Sequence, residues 1–188
     1  MKEERTDLKA NARLSENSET EGSGQDKGDT LADFFASDPT VPPPKLPASF
    51  SDKRPLRILI TDDNSINRNV IRTIVERLGY SPSEVSGGKD ALDILKKAPF
   101  DLLFTDVDMP EMNGIELATA VRAHESAVKP FPQGIEIVAV TANIQPETRL
   151  SCKRAGMNGF LQKPVDLEKI KKQILKSWRR IKTRAAKS

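Results

Sequence analysis

Five polar side chains stand just beyond short apolar runs in this sequence. Asp62 and Asp63 follow the run at 56–60, Asp106 follows 102–104, Thr141 follows 135–140 and Lys163 follows 160–161. If those runs are parallel strands, the five residues converge on one edge of a sheet, beyond its carboxyl ends, where open parallel sheets bind their ligands. Three carboxylates held together repel, so at least one pKa rises or a cation keeps all of them ionised. With carboxylates, backbone carbonyls and water as ligands, Mg²⁺ is the expected metal, because it keeps several waters and accepts phosphate oxygens. Phosphoryl chemistry follows. One carboxylate would be the nucleophile, the metal would neutralise the transferring group, and Thr141 and Lys163 would contact its other oxygens.

The elements that must position these residues are legible from periodicity. The four runs are apolar apart from Arg57 and Glu136, as expected of parallel strands buried on both faces, and a weaker candidate lies at 83–85. Between the first two strands, Ile66, Val70, Ile74 and Leu78 recur every four residues, Ile71 and Val75 widen the same face, and Gly79 is placed to end the helix. Weaker helical segments span 88–97, 114–124 and 146–155, the last opened by Pro146 and closed by Gly156. A final helix carries Leu167, Ile170, Ile174, Trp178 and Ile181. Strand and helix alternate five times, which predicts a doubly wound α/β domain with a five-stranded parallel sheet and helices on both faces.

Composition bounds the rest. A chain of 188 residues leaves room for one compact domain and tails, and 13 prolines with 5% aromatic residues suggest that part of it builds no core. We expect residues 1–54 to be a disordered acidic and proline-rich tail and linker, with Leu31, Phe34 and Phe35 as a weakly helical or docking patch, residues 55–180 to be the domain, and 181–188 a basic tail. No membrane span or signal-peptide core is visible. Cys152 is the single cysteine and His124 the single histidine, which excludes an intramolecular disulfide, a thiolate cluster and a His-pair site, and makes the cytoplasm the expected compartment. The net charge of +3 is a C-terminal property: residues 166–188 hold 9 basic and 2 acidic side chains.

The motifs Asp62-Asp63, Asp106-Val107-Asp108-Met109-Pro110 with Gly114 beyond, Thr141-Ala142-Asn143 and Lys163-Pro164 resemble, in order and in strand context, those of response-regulator receiver domains. The resemblance covers about 56–178 and implies the flavodoxin-like receiver fold. It implies that Asp106 is the phosphoacceptor, and that Asp63 and Asp106 ligate Mg²⁺ together with the backbone carbonyl of Asp108 and support from Asp62. Thr141 and Lys163 would contact the phosphoryl group, Phe160 would be the switch aromatic, and the Lys163-Pro164 bond would be cis. The run Asp63-Asn64-Ser65-Ile66-Asn67-Arg68 is most similar to receivers of hybrid sensor histidine kinases. The implied partners are therefore a sensor histidine kinase or a histidine phosphotransfer protein, in a two-component phosphorelay with phosphotransfer and autodephosphorylation chemistry, and a phosphorylation-dependent dimer is compatible with this.

Two other readings compete. Asp106-Val107-Asp108 after a strand is also similar to the nucleophile-plus-acid pattern of haloacid-dehalogenase-like phosphatases. That family begins with its D-x-D, whereas here an acidic pair precedes it and Pro110 stands where Thr or Val is expected. A basic nucleic-acid-binding module around the last helix lacks interleaved aromatics, Trp178 being the only aromatic there and lying on the apolar stripe. Asn64 or Ser65 has an ordinary helix-capping role, and Gly87-Gly88-Lys89 is read as a turn into a helix. Asp108 departs from the uncharged polar residue or Met frequent two residues past the acceptor, and is expected to alter phosphoryl lifetime.

Overall fold

The structure is a computed structural model that describes residues 49–127 and 134–187; the expectations for the tail up to residue 48 lie outside the described residues. In chain order the elements are β1 (Ile58–Thr61), α1 (Ser65–Arg77), β2 (Ser83–Val85), α2 (Gly88–Lys97), β3 (Leu102–Asp106), α3 (Gly114–Ala127), β4 (Glu136–Thr141), α4 (Pro146–Arg154), β5 (Gly159–Gln162) and α5 (Leu167–Ala185). All strands are parallel, in the order β2-β1-β3-β4-β5. This is the doubly wound five-stranded sheet that the alternation predicts. From β1 the chain winds first to one edge and then, through β3, to the other, so the switch point falls between β1 and β3 and leaves a crevice beyond their carboxyl ends.

The strands read as unbroken apolar runs because each successive side chain feeds a different core. Ile58 and Ile60, Leu102 and Phe104, and Val138 and Val140 point to the face covered by α1 and α5, where they meet Ile71, Val75, Ile170 and Ile174. Leu59, Leu103, Ile137 and Ala139 point to the opposite face, where Ala91 of α2, Leu117 and Val121 of α3, and Cys152 of α4 cover them. Each fully buried Leu or Ile contributes about 1.5–3 kcal/mol, so two complete cores hold the sheet rigid beneath the crevice.

Helix ends follow the local chemistry. Asn64 caps α1, its side chain accepting from the backbone N–H of Ile66 and Asn67. Gly79 follows that helix at φ +90°, a backbone region that costs glycine least, and its N–H donates to Glu76. Gly87 precedes α2 as the expected turn. Asp166 caps α5 through the N–H of Lys169.

Two boundaries differ from those expected. Residues 49–54 are not linker: Ser51 N–H donates to Leu78 O at 3.2 Å, Tyr80 Oη donates to Arg54 O at 2.9 Å, and Phe50 packs against the core on the α1 and α5 face. A lone phenylalanine among Ser, Asp and Lys has no periodicity, so its docking leaves no pattern in the sequence. At the other end, the domain does not end at residue 180: α5 runs through Ile181 to Ala185, and Arg180 and Arg184 pair with Glu136 at the start of β4, so most of the expected basic tail is helix. The charged exceptions in the apolar runs are thereby accounted for, since Arg57 is matched with Asp101 by two side-chain hydrogen bonds of 2.9 Å.

Candidate functional site

The crevice is lined by the residues that end the central strands. Asp62 follows β1 and is fully buried, Asp63 beside it is exposed, and Asp106 is the last residue of β3 with 7% of its surface accessible. Thr141 closes β4, and Lys163 follows β5, joined to Pro164 by a cis peptide bond as the resemblance implies. Oxygen atoms of Asp62, Asp63 and Asp106 all lie within 4.8 Å of one another. The Lys163 ammonium donates to Asp62 Oδ2 and to Asp106 Oδ2, at 2.7 Å each.

The strand ends fix these side chains in detail. Asp106 Oδ1 accepts from the N–H of Val107 at 2.7 Å, which holds the carboxylate over the strand end with its other oxygen toward Lys163. Gly114 opens α3 against the same strand end, where an added Cβ would stand 2.1 Å from Asp106 O, so only glycine lets the helix approach the acceptor's backbone this closely. The Lys163 N–H donates to Thr141 O at 2.9 Å, tying the two motifs together through the main chain.

The electrostatics are those of a crowded anionic pocket. Burial pushes the Asp106 carboxyl above its ordinary value; Lys163 opposes this and the neighbouring Asp62 adds to it. Burial works against the Lys163 ammonium, but its hydrogen bonds to Asp106 and Asp62 outweigh that penalty and hold its pKa above the usual lysine value. One ammonium against three carboxylates leaves a net negative charge, and every ligand atom is a hard oxygen. That donor set fits a small divalent cation.

Asp108 is exposed and its carboxylate lies outside the group of three; it faces Thr141, whose Oγ1 stands 3.4 Å from Asp108 Oδ2 and accepts from the N–H of Asn143 at 3.0 Å. Phe160 is half-buried, with the Arg149 guanidinium of α4 stacked 4.6 Å from the ring centre. Residues from the first turn of α1 enter the site unexpectedly: Asn64 N–H and Asn67 Nδ2 donate to Asp62 Oδ1 at 2.9 and 3.2 Å, and Arg68 Nη1 donates to the backbone oxygens of Asp62 and Asp63 at 2.7 and 3.2 Å. Their only signal in the sequence is the run Asn64-Ser65-Ile66-Asn67-Arg68 itself, which displays polar residues facing back along the helix toward the carboxylates.

Comparison with known proteins agrees with this geometry. The family model for the response regulator receiver domain matches residues 58–175. The sensor histidine kinase RcsC of Escherichia coli K12 is 32% identical over 144 residues, which cover 77% of this chain and 14% of RcsC, so the chain spans about one seventh of that relative's length. Among solved structures, the receiver domain of Ssk1 from Saccharomyces cerevisiae, crystallised with the histidine phosphotransfer protein Ypd1, is 29% identical with a TM-score of 0.62, covering 67% of this chain and 90% of that one. The receiver domain of the sensor histidine kinase PA1611 from Pseudomonas aeruginosa, with a magnesium ion coordinated in its active-site cleft, is 27% identical with a TM-score of 0.58, covering 66% and 98%.

Proposed function

The chain belongs to the response regulator receiver domain family, and from that premise we propose that it accepts a phosphoryl group from a phosphohistidine onto Asp106, dependent on Mg²⁺, and signals or relays it onward in a two-component phosphorelay. The observation that carries this reading is the Lys163 ammonium bridging Asp62 and Asp106 inside the three-carboxylate cluster at the switch point. A carboxylate oxygen of Asp106 attacks phosphorus, the P–N bond breaks, its electron pair returns to the imidazole of the donor, and an aspartyl phosphate is left. Lys163 moves from Asp106 to an oxygen of the transferred group while Thr141 supplies a hydroxyl to another, so the pocket contributes positioning and charge stabilisation rather than proton transfer. Asp63, Asp106 and the Asp108 carbonyl, with Asp62 in support, would hold Mg²⁺, which would supply charge neutralisation for the carboxylates and the phosphoryl group. Phe160 follows Thr141 as the switch aromatic.

The donor's docking surface adjoins the crevice. Ile66 and Val70 on α1 are 72% and 42% exposed, and a cleft of about 330 Å³ runs from Asn67 and Val70 to Lys163, Pro164 and Val165. Exposed aliphatic side chains beside a phosphoacceptor suit an apolar helix face on the donor. A histidine phosphotransfer protein, the class of partner crystallised with the Ssk1 receiver, is the proposed occupant. Among the described residues no helix is long and apolar enough to cross a membrane. A reducing compartment such as the cytoplasm fits a chain whose one cysteine, Cys152, is buried. Several basic groups of α5 are engaged within the domain, Arg180 and Arg184 with Glu136 and Lys169 with Pro164 O, which weighs against a nucleic-acid surface there.

Incubation with acetyl phosphate and Mg²⁺ should give a base-labile acyl phosphate that is lost in Asp106→Asn and on chelation. Ile66→Asp should slow transfer from a phosphorylated phosphotransfer domain far more than from acetyl phosphate. A wild type that takes up phosphate from neither donor overturns the reading.

A further inference from the structure

Arg68 is a half-buried cation placed directly against the acidic crevice, yet it pairs with no carboxylate there. Its Nη1 is directed instead at two consecutive main-chain oxygens, those of Asp62 and Asp63, 2.7 and 3.2 Å away. Beside it, Asn67 Nδ2 and the Asn64 N–H hold Asp62 Oδ1 and leave Oδ2 to Lys163. The β1–α1 connection is thus tied by three hydrogen bonds from the first turn of α1 and one from its cap residue, and Asp63, whose carboxylate is exposed, is attached to the backbone that Arg68 grips.

We infer that Arg68 is a positioning residue for the divalent cation: by fixing the Asp62 and Asp63 peptide units it presents the Asp63 carboxylate to the metal site. The inference rests on the metal-binding reading given above. Two effects of the guanidinium oppose each other. Its charge repels a cation and so weakens binding, whereas its hydrogen bonds spare the cation the work of ordering the Asp62-Asp63 loop. Partners that orient metal ligands typically change affinity by about 10–100-fold. Repulsion from one charge through partly solvated space at this range changes it by a few-fold at most. Positioning should win, and lysine separates the two effects, because it keeps the charge but carries its ammonium on a shorter stem of different shape, which does not place a donor where Nη1 meets both oxygens.

The test is calorimetric titration of MgCl₂ into the full chain, wild type against Arg68→Lys and Arg68→Ala, with thermal melts recorded in the absence of metal. We expect Mg²⁺ binding to weaken by about tenfold in both variants. The metal-free melting temperature should stay close to that of wild type, and the Mg²⁺ concentration required for acyl-phosphate formation should rise in step with the dissociation constant. Wild-type affinity in Arg68→Lys, or tighter binding in Arg68→Ala, shows that only charge matters and overturns this inference while leaving the phosphoacceptor reading intact. A metal-free melting temperature far below that of wild type in Arg68→Lys assigns the residue to stability and overturns it as well. Failure of wild type to bind Mg²⁺ overturns the inference together with the metal-binding reading.

Discussion

Glu136 opens β4 with none of its side chain exposed, and Arg180 of α5 reaches it at 3.1 Å. Arg184, one turn further along the helix, contacts the other carboxylate oxygen. Arg180 also donates to Asn158 O at 2.6 Å, and Arg122 of α3 donates to Asn158 Oδ1 at 2.7 Å. The last turns of α5 are therefore pinned under the amino end of the sheet, opposite the crevice. A carboxylate buried so completely is tolerable only while paired, and removing one partner of a buried pair costs about 3–5 kcal/mol. Because Arg180 is itself half exposed and Arg184 remains, Arg180→Ala should cost less, about 1–2 kcal/mol. Replacing both arginines should cost more than either alone. A chain ended after residue 180, which retains Arg180 but lacks Arg184, should also melt below the full chain. Equal denaturation midpoints for the full and shortened chains would show that the contact contributes nothing.

Asp63 is the exposed member of three carboxylates that crowd within 4.8 Å, and a single ammonium serves the other two. Without metal its charge only adds repulsion; with metal it becomes a ligand. Asp63→Asn should therefore raise the metal-free melting temperature by a few degrees and abolish most of the rise that Mg²⁺ gives wild type. For scale, a ligand at 100 times its dissociation constant stabilises by about 2.7 kcal/mol. Paired melts with Mg²⁺ and with a chelator decide the matter, and a full Mg²⁺ response in the variant would remove Asp63 from the ligand set.

Asp101 and Arg57 clamp the amino ends of β3 and β1 together. The carboxylate accepts from Arg57 Nε and Nη2 at 2.9 Å each and from its backbone N–H at 2.8 Å. Burial acts to raise the Asp101 pKa, but these bonds outweigh it and hold the carboxyl below its ordinary value. A depressed folded-state pKa stabilises above the unfolded value, near pH 4, and the contribution disappears as pH falls through the lower folded value. Asp101→Asn should thus cost about 1 kcal/mol at neutral pH, discounted for the exposed arginine, and the difference from wild type should shrink below about pH 4. Denaturation curves between neutral and acid pH test this, and a constant difference would mean that the charge plays no part.

The four-residue spacing on α1 predicts a buried face, yet Ile66 and Val70 are exposed while Ile71 and Val75 are buried. Where sequence and structure agree, the cause is periodicity: apolar runs state which strands are buried, and residues just past a strand state where the crevice lies. Asp62, Asp63, Asp106, Thr141 and Lys163 were legible for that reason. Asn67 and Arg68 were harder to assign, because a polar residue in the first turn of a helix looks the same whether it faces solvent or a neighbouring carboxylate. Asp108 could be located but not aimed; only the backbone turn after β3 sends its carboxylate toward Thr141 and out of the cluster. Glu136 and Arg180 lie 44 positions apart, a separation at which composition records two charges but no pair. The docking of Phe50 was likewise invisible, and it supplies a test with its own reporter.

Tyr80 is the single tyrosine of the chain, so the absorbance of its phenolate can be followed without interference. It lies 6% exposed behind α1, its ring edge-on to Phe50 with centroids 6.3 Å apart, and Arg54 is stacked 4.5 Å from the Phe50 ring. Burial pushes the phenol up to about 12, although the nearby Arg54 charge pulls the other way. A raised pKa means that the native state holds the proton more tightly than the unfolded chain, so this stability is complete below about pH 10 and lost as pH climbs toward the folded value. Native protein should show phenolate only well above pH 10, and protein in denaturant near pH 10. Removing residues 1–54, or replacing Phe50 with Ala, opens the ring to water and should bring its titration down toward 10, with a loss of about 1–2 kcal/mol for the half-buried Phe50 side chain. Circular dichroism recorded along the titration separates ionisation in the folded state from alkaline unfolding. An unchanged titration in the truncated chain would return residues 49–54 to the linker.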